Sequence, residues 1–377
     1  MRKIPLCIPY TGQEEKDAVN EVIDSGWYAH GPKNHEFEEG FAEYLGVEHA
    51  LSMNSCTSAL HLAVEGLGIT GEVILPSFTF VASANAVITG GARPVFADIE
   101  EDTCNIDPES IERLIGPDTE AIMPIHYGGQ SAEMTRILEI AKAQHLHVIE
   151  DSAETIGGTH QGQLTGSFGV GCFSFYPTKN LTTGEGGMLT TNDGELAKKV
   201  KTLLAHGIDK STYEREDLEK SWFRSASRVG YNFRLSNILA AIGVEQLKKL
   251  PEMNRLRRKL SKKLTAALSE IDGITPPVER EENVHVYQMY TIRVSEDIDR
   301  DEFVRSLNEK GIGASIHFFP PVHHMKPYQG PEFRRDDLST TEKVIREIVT
   351  LPMYPQMSDE DLDYMVDSIK ETISKLR

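Results

Sequence analysis

Residues 147–191 read HVIEDSAETIGGTHQGQLTGSFGVGCFSFYPTKNLTTGEGGMLTT. Three short β-prone runs, at 147–151, 171–175 and 188–191, are nearly continuous in apolar residues, as strands covered on both faces should be. The first ends in Glu150-Asp151. The second runs out through Tyr176-Pro177-Thr178 to Lys179, and Gly184-Glu185-Gly186-Gly187 follows. Upstream to about residue 46, similar runs at 50–53, 72–75, 94–98 and 121–124 alternate with stretches of helical period. That alternation predicts an α/β domain of three layers on a mainly parallel sheet, with ligands collecting at the C-terminal ends of its strands. Downstream, residues 236–250 and 254–269 read as helices separated by Pro251, and 286–294 as a strand entering a second α+β unit. Helices are expected near 300–310, 340–349 and 359–375. The hinge is placed at 251, giving a large domain of residues 1–250 and a small C-terminal α+β domain of 251–377.

Composition narrows the function. The 377 residues are 39% hydrophobic, enough for a substantial core. With 39 basic and 58 acidic side chains the net charge is −19, which argues against a broad electrostatic grip on nucleic acid or an anionic membrane. Cys7, Cys56, Cys104 and Cys172 form no closely spaced pair, so a reducing compartment is the simplest reading. No 18-residue apolar run occurs, and the early prolines with Glu14 and Glu15 make a poor signal peptide, so a cytoplasmic location is expected. His145 with His147, and His323 with His324, come with no third ligand in spacing, so no metal is expected.

The block at 147–191 brings an acid and an amine to two strand ends. A lysine leaving an apolar strand beside a glycine-rich turn sits on backbone that allows close approach of a ligand, and such a lysine suits Schiff-base chemistry. Pyridoxal phosphate enzymes need that amine, a carboxylate that keeps the pyridine nitrogen protonated, and donors for the phosphate. Asp151 is the candidate carboxylate, with helix capping as the competing role. Asn54-Ser55-Cys56-Thr57-Ser58 changes an apolar run into a polar turn at an expected helix start. That places Thr57 and Ser58 where a phosphate binds, or where an ordinary cap forms; Ser174 offers a third hydroxyl. No Gly-x-Gly-x-x-Gly follows a strand and no Walker lysine loop occurs, which disfavours a nucleotide-binding oxidoreductase.

Four motifs then occur in order: Pro76-Ser77-Phe78-Thr79-Phe80, Glu150-Asp151-Ser152-Ala153, Ser174-Phe175-Tyr176-Pro177-Thr178-Lys179-Asn180 and Gly230-Tyr231-Asn232-Phe233-Arg234. The chain resembles a DegT/DnrJ/StrS-type sugar aminotransferase from Pro9 to Pro352. The resemblance implies an aspartate-aminotransferase-like fold (PLP fold type I). It implies that Lys179 carries pyridoxal 5'-phosphate as an aldimine, that Asp151 pairs with the pyridine nitrogen, and that Thr57, Ser58 and Ser174 hold the phosphate. Phe80 and Ala153 would pack on opposite faces of the ring. Asn232 would reach the phosphate of a neighbouring subunit, so a homodimer with shared active sites is implied. The implied reaction takes nitrogen from an amino acid, commonly glutamate, forms pyridoxamine phosphate (PMP), and delivers the nitrogen to a nucleotide-linked ketosugar. Arg228 and Arg234 are candidates for anionic groups near the subunit junction, with salt bridges as the alternative. His317 and His323 fall in a segment similar to one near the family's sugar site. Tyr28, in Gly26-Trp27-Tyr28, belongs to a loop that closes over the sugar or seals the dimer. Glu154 stands where many relatives have glutamine or histidine, and its role is open between contacting the cofactor and supporting its neighbours. A dehydratase on the same fold would have histidine in place of Lys179, and a catalytically idle relative would lack the acid, amine and hydroxyl set.

Overall fold

The computed structural model describes residues 2–208, 222 and 225–377. Its centre is a seven-stranded sheet. The strands in chain order are β1 (His49–Met53), β2 (Glu72–Pro76), β3 (Arg93–Ala97), β4 (Thr119–Ile122) and β5 (His147–Asp151). A small hairpin of β6 (Thr159–His160) and β7 (Gln163–Leu164) intervenes before β8 (Val170–Ser174) and β9 (Gly187–Thr191). The order across the main sheet is β1-β9-β8-β5-β4-β2-β3. Pairings from β3 through β2, β4 and β5 to β8 are parallel, and β9 runs antiparallel to both β8 and β1. The C-terminal ends of β1, β2, β5 and β8 therefore open on the same side of the sheet. β2, β8 and β9 are buried along their whole length, which accounts for their unbroken apolar character.

Helices cover both faces. One core packs helices Cys56–Leu67 and Gly194–Leu203 on the sheet, through residues such as Leu60, Val64, Leu196 and Val200. The opposite face holds Phe37, Phe41, Phe173, Phe175 and Met188 on one side and Ile111, Ile137, Ile140 and Val148 on the other. A separate core, with Leu264, Tyr290, Phe303, Val349 and Ile369, surrounds a three-stranded sheet, β10 (Ile274–Thr275), β12 (Tyr290–Val294) and β13 (Ile348–Leu351). β11 (Asn283–Val284) joins the β6–β7 hairpin instead.

Three local expectations are corrected. Pro251 does not separate two helices: a single helix runs from Asn237 to Leu268 through it. Proline removes one backbone donor and crowds one turn, and here Leu250 and Met253 on either side are sealed into the large core while Leu260 and Leu264 enter the small one. Burial at both ends outweighs the local penalty. The expected hinge at 251 thus falls inside a continuous element. The strand expected from 286 starts only at Tyr290, because the backbone N–H groups of Val286 and Met289 donate to the carbonyls of Gly129 and Gly128 (2.9 and 3.0 Å). The helix expected over 340–349 stops at Glu347, and Ile348–Leu351 pairs with β12.

Candidate active site

β1 ends in a turn that starts the helix Cys56–Leu67. The Ser55 hydroxyl accepts from the Ser58 N–H at 3.1 Å, capping the helix and aiming its free backbone donors outward. Gly187, at the start of β9, lies against this turn: a Cβ there would be 2.4 Å from the Ser55 carbonyl carbon. Only glycine permits that approach, which gives the glycine-rich stretch after Lys179 a steric reason. Thr57 lines the cavity beyond. Ser58 does not; its hydroxyl donates to Asn54 Oδ1 at 2.7 Å and lies 3.0 Å from Ser55 Oγ. Ser174, at the end of β8, completes this side of the wall.

The end of β5 supplies the acid. Asp151 is 6% exposed; its Oδ2 accepts from the Ser83 hydroxyl at 2.7 Å and its Oδ1 from the Ala153 N–H at 3.2 Å. Burial pushes its carboxyl above the ordinary carboxylate value, against the opposing pull of those two donors. Lys179 follows β8 on a tight turn, its N–H donating to the Tyr176 carbonyl at 2.9 Å, and its side chain enters the same cavity. Nζ lies 3.3 Å from Glu154 Oε1, and Glu154 Oε2 accepts from the Gly128 N–H at 2.8 Å. Phe80, 59% exposed, and Ala153 also line the cavity, whose volume is about 390 Å³. His317 lies on the wall with Nδ1 3.0 Å from Thr350 Oγ1, and burial lowers its pKa, so the imidazole is neutral at pH 7. The chemistry of this donor set fits a phosphorylated pyridine aldehyde: an amine, a buried carboxylate with no ion pair among the described residues, and a helix N-terminus with hydroxyls share one pocket.

Other candidates lie elsewhere. Tyr28, Arg228, Asn232 and Arg234 do not line this chain's cavity. Asn232 is exposed, and its Oδ1 accepts from Arg234 Nε and Nη2 at 3.0 and 2.8 Å; Arg228 is exposed. The Asn54 N–H donates to the Phe233 carbonyl at 2.7 Å, so the strip 231–234 is fixed beside the turn that starts the helix Cys56–Leu67 while Asn232 faces outward. Tyr28 is 51% exposed, its hydroxyl on the Ile23 carbonyl. His323 is buried outside the cavity, its ring held by Ser77 and Glu342. The absence of a third ligand near His323 and His324 is corrected as well: Glu342, from helix Ser339–Glu347, meets both rings. Sequence reasoning missed Ser83, Gln288 and Cys7, which line the cavity. Gln288 and Cys7 come from segments with no motif, and only the fold brings them there.

Comparison with known proteins agrees with this geometry. Residues 9–370 match the DegT/DnrJ/EryC1/StrS aminotransferase family. The chain is 39% identical over 379 residues to the spore coat polysaccharide biosynthesis protein SpsC of Bacillus subtilis, covering 98% of this chain and 97% of that one. Among solved structures it is similar to PseC of Helicobacter pylori, an aminotransferase involved in pseudoaminic acid biosynthesis (TM-score 0.92, 30% identity, 99% and 100% of the two chains covered). It is also similar to Spr1654 of Streptococcus pneumoniae in its PLP form (TM-score 0.91, 26% identity) and its PMP form (TM-score 0.93, 27% identity), with all of both chains covered.

Proposed function

Since the chain belongs to the DegT/DnrJ/EryC1/StrS aminotransferase family and is a PLP-dependent sugar aminotransferase of fold type I, we propose that it moves an amino group from glutamate to the keto carbon of a nucleotide-linked sugar. The observation that carries this reading is the meeting of Lys179 and Asp151 in one cavity whose wall includes the start of the helix Cys56–Leu67. When bound, the cofactor supplies an aldehyde for an amine and an electron-withdrawing protonated ring.

The chain's own residues then have distinct tasks. Lys179 would hold the aldehyde of a bound cofactor, and its Nζ, when free and neutral, would take a proton from the substrate carbon and return one on the other side of the transfer. Glu154 Oε1, 3.3 Å away, receives the ammonium form between these events, and the Gly128 N–H keeps that carboxylate in place. Asp151, buried at the cavity with its carboxyl raised chiefly by desolvation, would keep the ring nitrogen of a bound cofactor protonated. Thr57 and Ser174 with the helix N-terminus would hold the phosphate, and Phe80 and Ala153 would pack against the ring. Asn232, turned outward, serves the phosphate of a second copy, which makes the working unit a homodimer with shared sites. His317, neutral on the wall, donates or accepts at a sugar hydroxyl.

The name of SpsC supports a place in polysaccharide biosynthesis. The four unpaired cysteines suit a cytoplasmic setting. The test is spectroscopic. Glutamate should abolish the visible band of the PLP-loaded enzyme, and a panel of 3-keto and 4-keto nucleotide sugars should include one that restores it. A band unchanged by glutamate and other amino acids would overturn the reading.

A further inference from the structure

Away from this cavity, His323, His324 and Glu342 form a second cluster. His323 Nε2 lies 2.8 Å and His324 Nε2 2.7 Å from the same oxygen, Glu342 Oε1, and the three ligand atoms lie within 4.8 Å of one another. The geometry points to a divalent transition-metal site made by His323 Nε2, His324 Nε2 and a Glu342 carboxylate oxygen, suited to Zn2+, that ties residues 322–324 to the helix Ser339–Glu347.

Four observations support it. Two imidazoles and a carboxylate are a borderline donor set of the kind Zn2+ prefers, and three protein ligands leave a fourth position for water. Tetrahedral coordination at about 2.0 Å needs ligand atoms roughly 3.3 Å apart, so the two nitrogen–oxygen spacings of 2.8 and 2.7 Å have to widen by only about half an ångström, and the two Nε2 atoms lie within 4.8 Å of each other. His323 has its outer contact in place: its Nδ1 meets the Ser77 hydroxyl, which also accepts from the His323 backbone N–H at 3.3 Å. Nδ1–H on Ser77 would fix the tautomer that turns the Nε2 lone pair toward an ion, whereas without the ion Nε2–H can bond the Glu342 carboxylate. Access is open as well. A hollow of about 370 Å³ reaches the cluster, and His324 and Glu342 are 42% and 35% exposed on their side chains. Of the charged groups lining that hollow, Asp337 favours a cation, Arg335 opposes one, and Asp336 is already engaged by Arg113 and Ser110.

The location gives the ion a task. The Val322 N–H donates to the Ser77 carbonyl at 3.0 Å, so the cluster bridges the segment after β2 that continues to Thr79 and Phe80 and the segment that carries His317 and Phe318. All four of these residues line the active-site cavity. A metal here is a structural clamp behind that wall.

The test uses tag-free holoenzyme stripped with a chelator, titrated with Zn2+ or Co2+ and separated from free metal by gel filtration. The expected result is about one metal per chain, a visible Co2+ band typical of tetrahedral nitrogen and oxygen ligation, and a Tm raised by the metal. His324→Ala and Glu342→Gln, both on the open side, should lose at least tenfold in affinity and lose the Tm response. Ser77→Ala should weaken binding by roughly tenfold or more through loss of ring orientation. Wild-type metal content and affinity in both His324→Ala and Glu342→Gln would overturn the site, as would a wild-type chain retaining no metal. Either outcome leaves a hydrogen-bonded triad as the explanation of the cluster.

Discussion

Glu150 and Asp151 are consecutive on β5, both buried, and alike in chemistry, yet their surroundings are opposite. Alternation along the strand sends their side chains to different sides. Glu150 Oε2 accepts from the Gly166 N–H (2.7 Å) and His126 Nε2 (3.1 Å), and Oε1 from the Phe168 and Gly169 N–H groups (both 2.8 Å). The Ala132 N–H donates to His126 Nδ1, which leaves Nε2 to donate toward Glu150. Asp151 has two donors and a cavity in front of it. One carboxylate is saturated by the fold and holds the 166–169 loop; the other is left short, with room for a positive group of a ligand. The contrast teaches that an acid left ready for a ligand is recognised by what the protein withholds from it.

The sharpest way to break the contrast is to remove the amine that shares the cavity with Asp151. Lys179→Ala should lower transamination by at least about three orders of magnitude, since nucleophile and proton carrier vanish together. Stopped-flow absorbance with glutamate measures this, and Tm should stay near wild type. Asp151→Asn comes next, with kcat reduced by about 10²–10³ through loss of a preorganised charge. Its stability should move the other way. In the cofactor-free protein the folded carboxyl has a pKa above its ordinary 3.8, so the proton is held more tightly folded than unfolded. That contribution is full below the ordinary value and is lost as pH rises through the raised one. Cofactor-free Asp151→Asn should therefore be more stable than wild type at neutral pH, with the gap closing below pH 3.8, as denaturant titrations across pH would show. Saturating pyridoxal phosphate should narrow that gap at neutral pH.

Glu150→Gln should do the reverse of Asp151→Asn. A glutamine amide must point its N–H2 at one of the two donor pairs, leaving buried groups opposed, and the expected loss is about 3 kcal/mol of stability. The folded fraction should keep kcat within about twofold to threefold, well inside the span of a lost catalytic group. If Glu150→Gln instead lowers kcat as much as Asp151→Asn at unchanged Tm, the division of labour between the two acids is wrong.

The contrast also marks what sequence can carry. β5, β8 and β9 were legible because strands covered on both faces must be apolar throughout, and Asp151 and Lys179 because each lies at or just past the end of such a run. Gly187 was legible as a glycine, though its purpose, clearance from the Ser55 backbone, is visible only in the fold. The helix through Pro251 was not legible, since local breaking and tertiary burial compete and only the folded cores show which prevails. The same holds for Ile348–Leu351, whose pairing partner β12 is more than fifty residues away. Glu342 was invisible to a search for ligand spacing because it reaches His323 and His324 from another helix. The four donors around Glu150 were invisible because three are backbone groups, and a sequence does not say which N–H groups a carboxylate will face.

Ser83 offers the finest test of the contrast. It is the only side-chain donor to Asp151 among the described residues, and its hydroxyl also lies 3.0 Å from Thr79 Oγ1. Ser83→Ala removes one of two hydrogen bonds that hold down the Asp151 pKa, so that pKa should rise further. A hydrogen bond to a buried carboxylate is worth about 1.5–3 kcal/mol when its partner stays ionised, but Asp151 can take up a proton or meet the cofactor instead, so the observed effect should be nearer 1 kcal/mol. That corresponds to about a fivefold weaker hold on pyridoxal phosphate, measurable by equilibrium dialysis, with little change in kcat at saturating cofactor. The direction discriminates between two views of the site. If the carboxylate is held ready by the protein, losing Ser83 weakens cofactor binding most at low pH, where the raised pKa leaves more Asp151 protonated. If the cofactor alone organises the acid, the variant's affinity deficit should be the same at every pH.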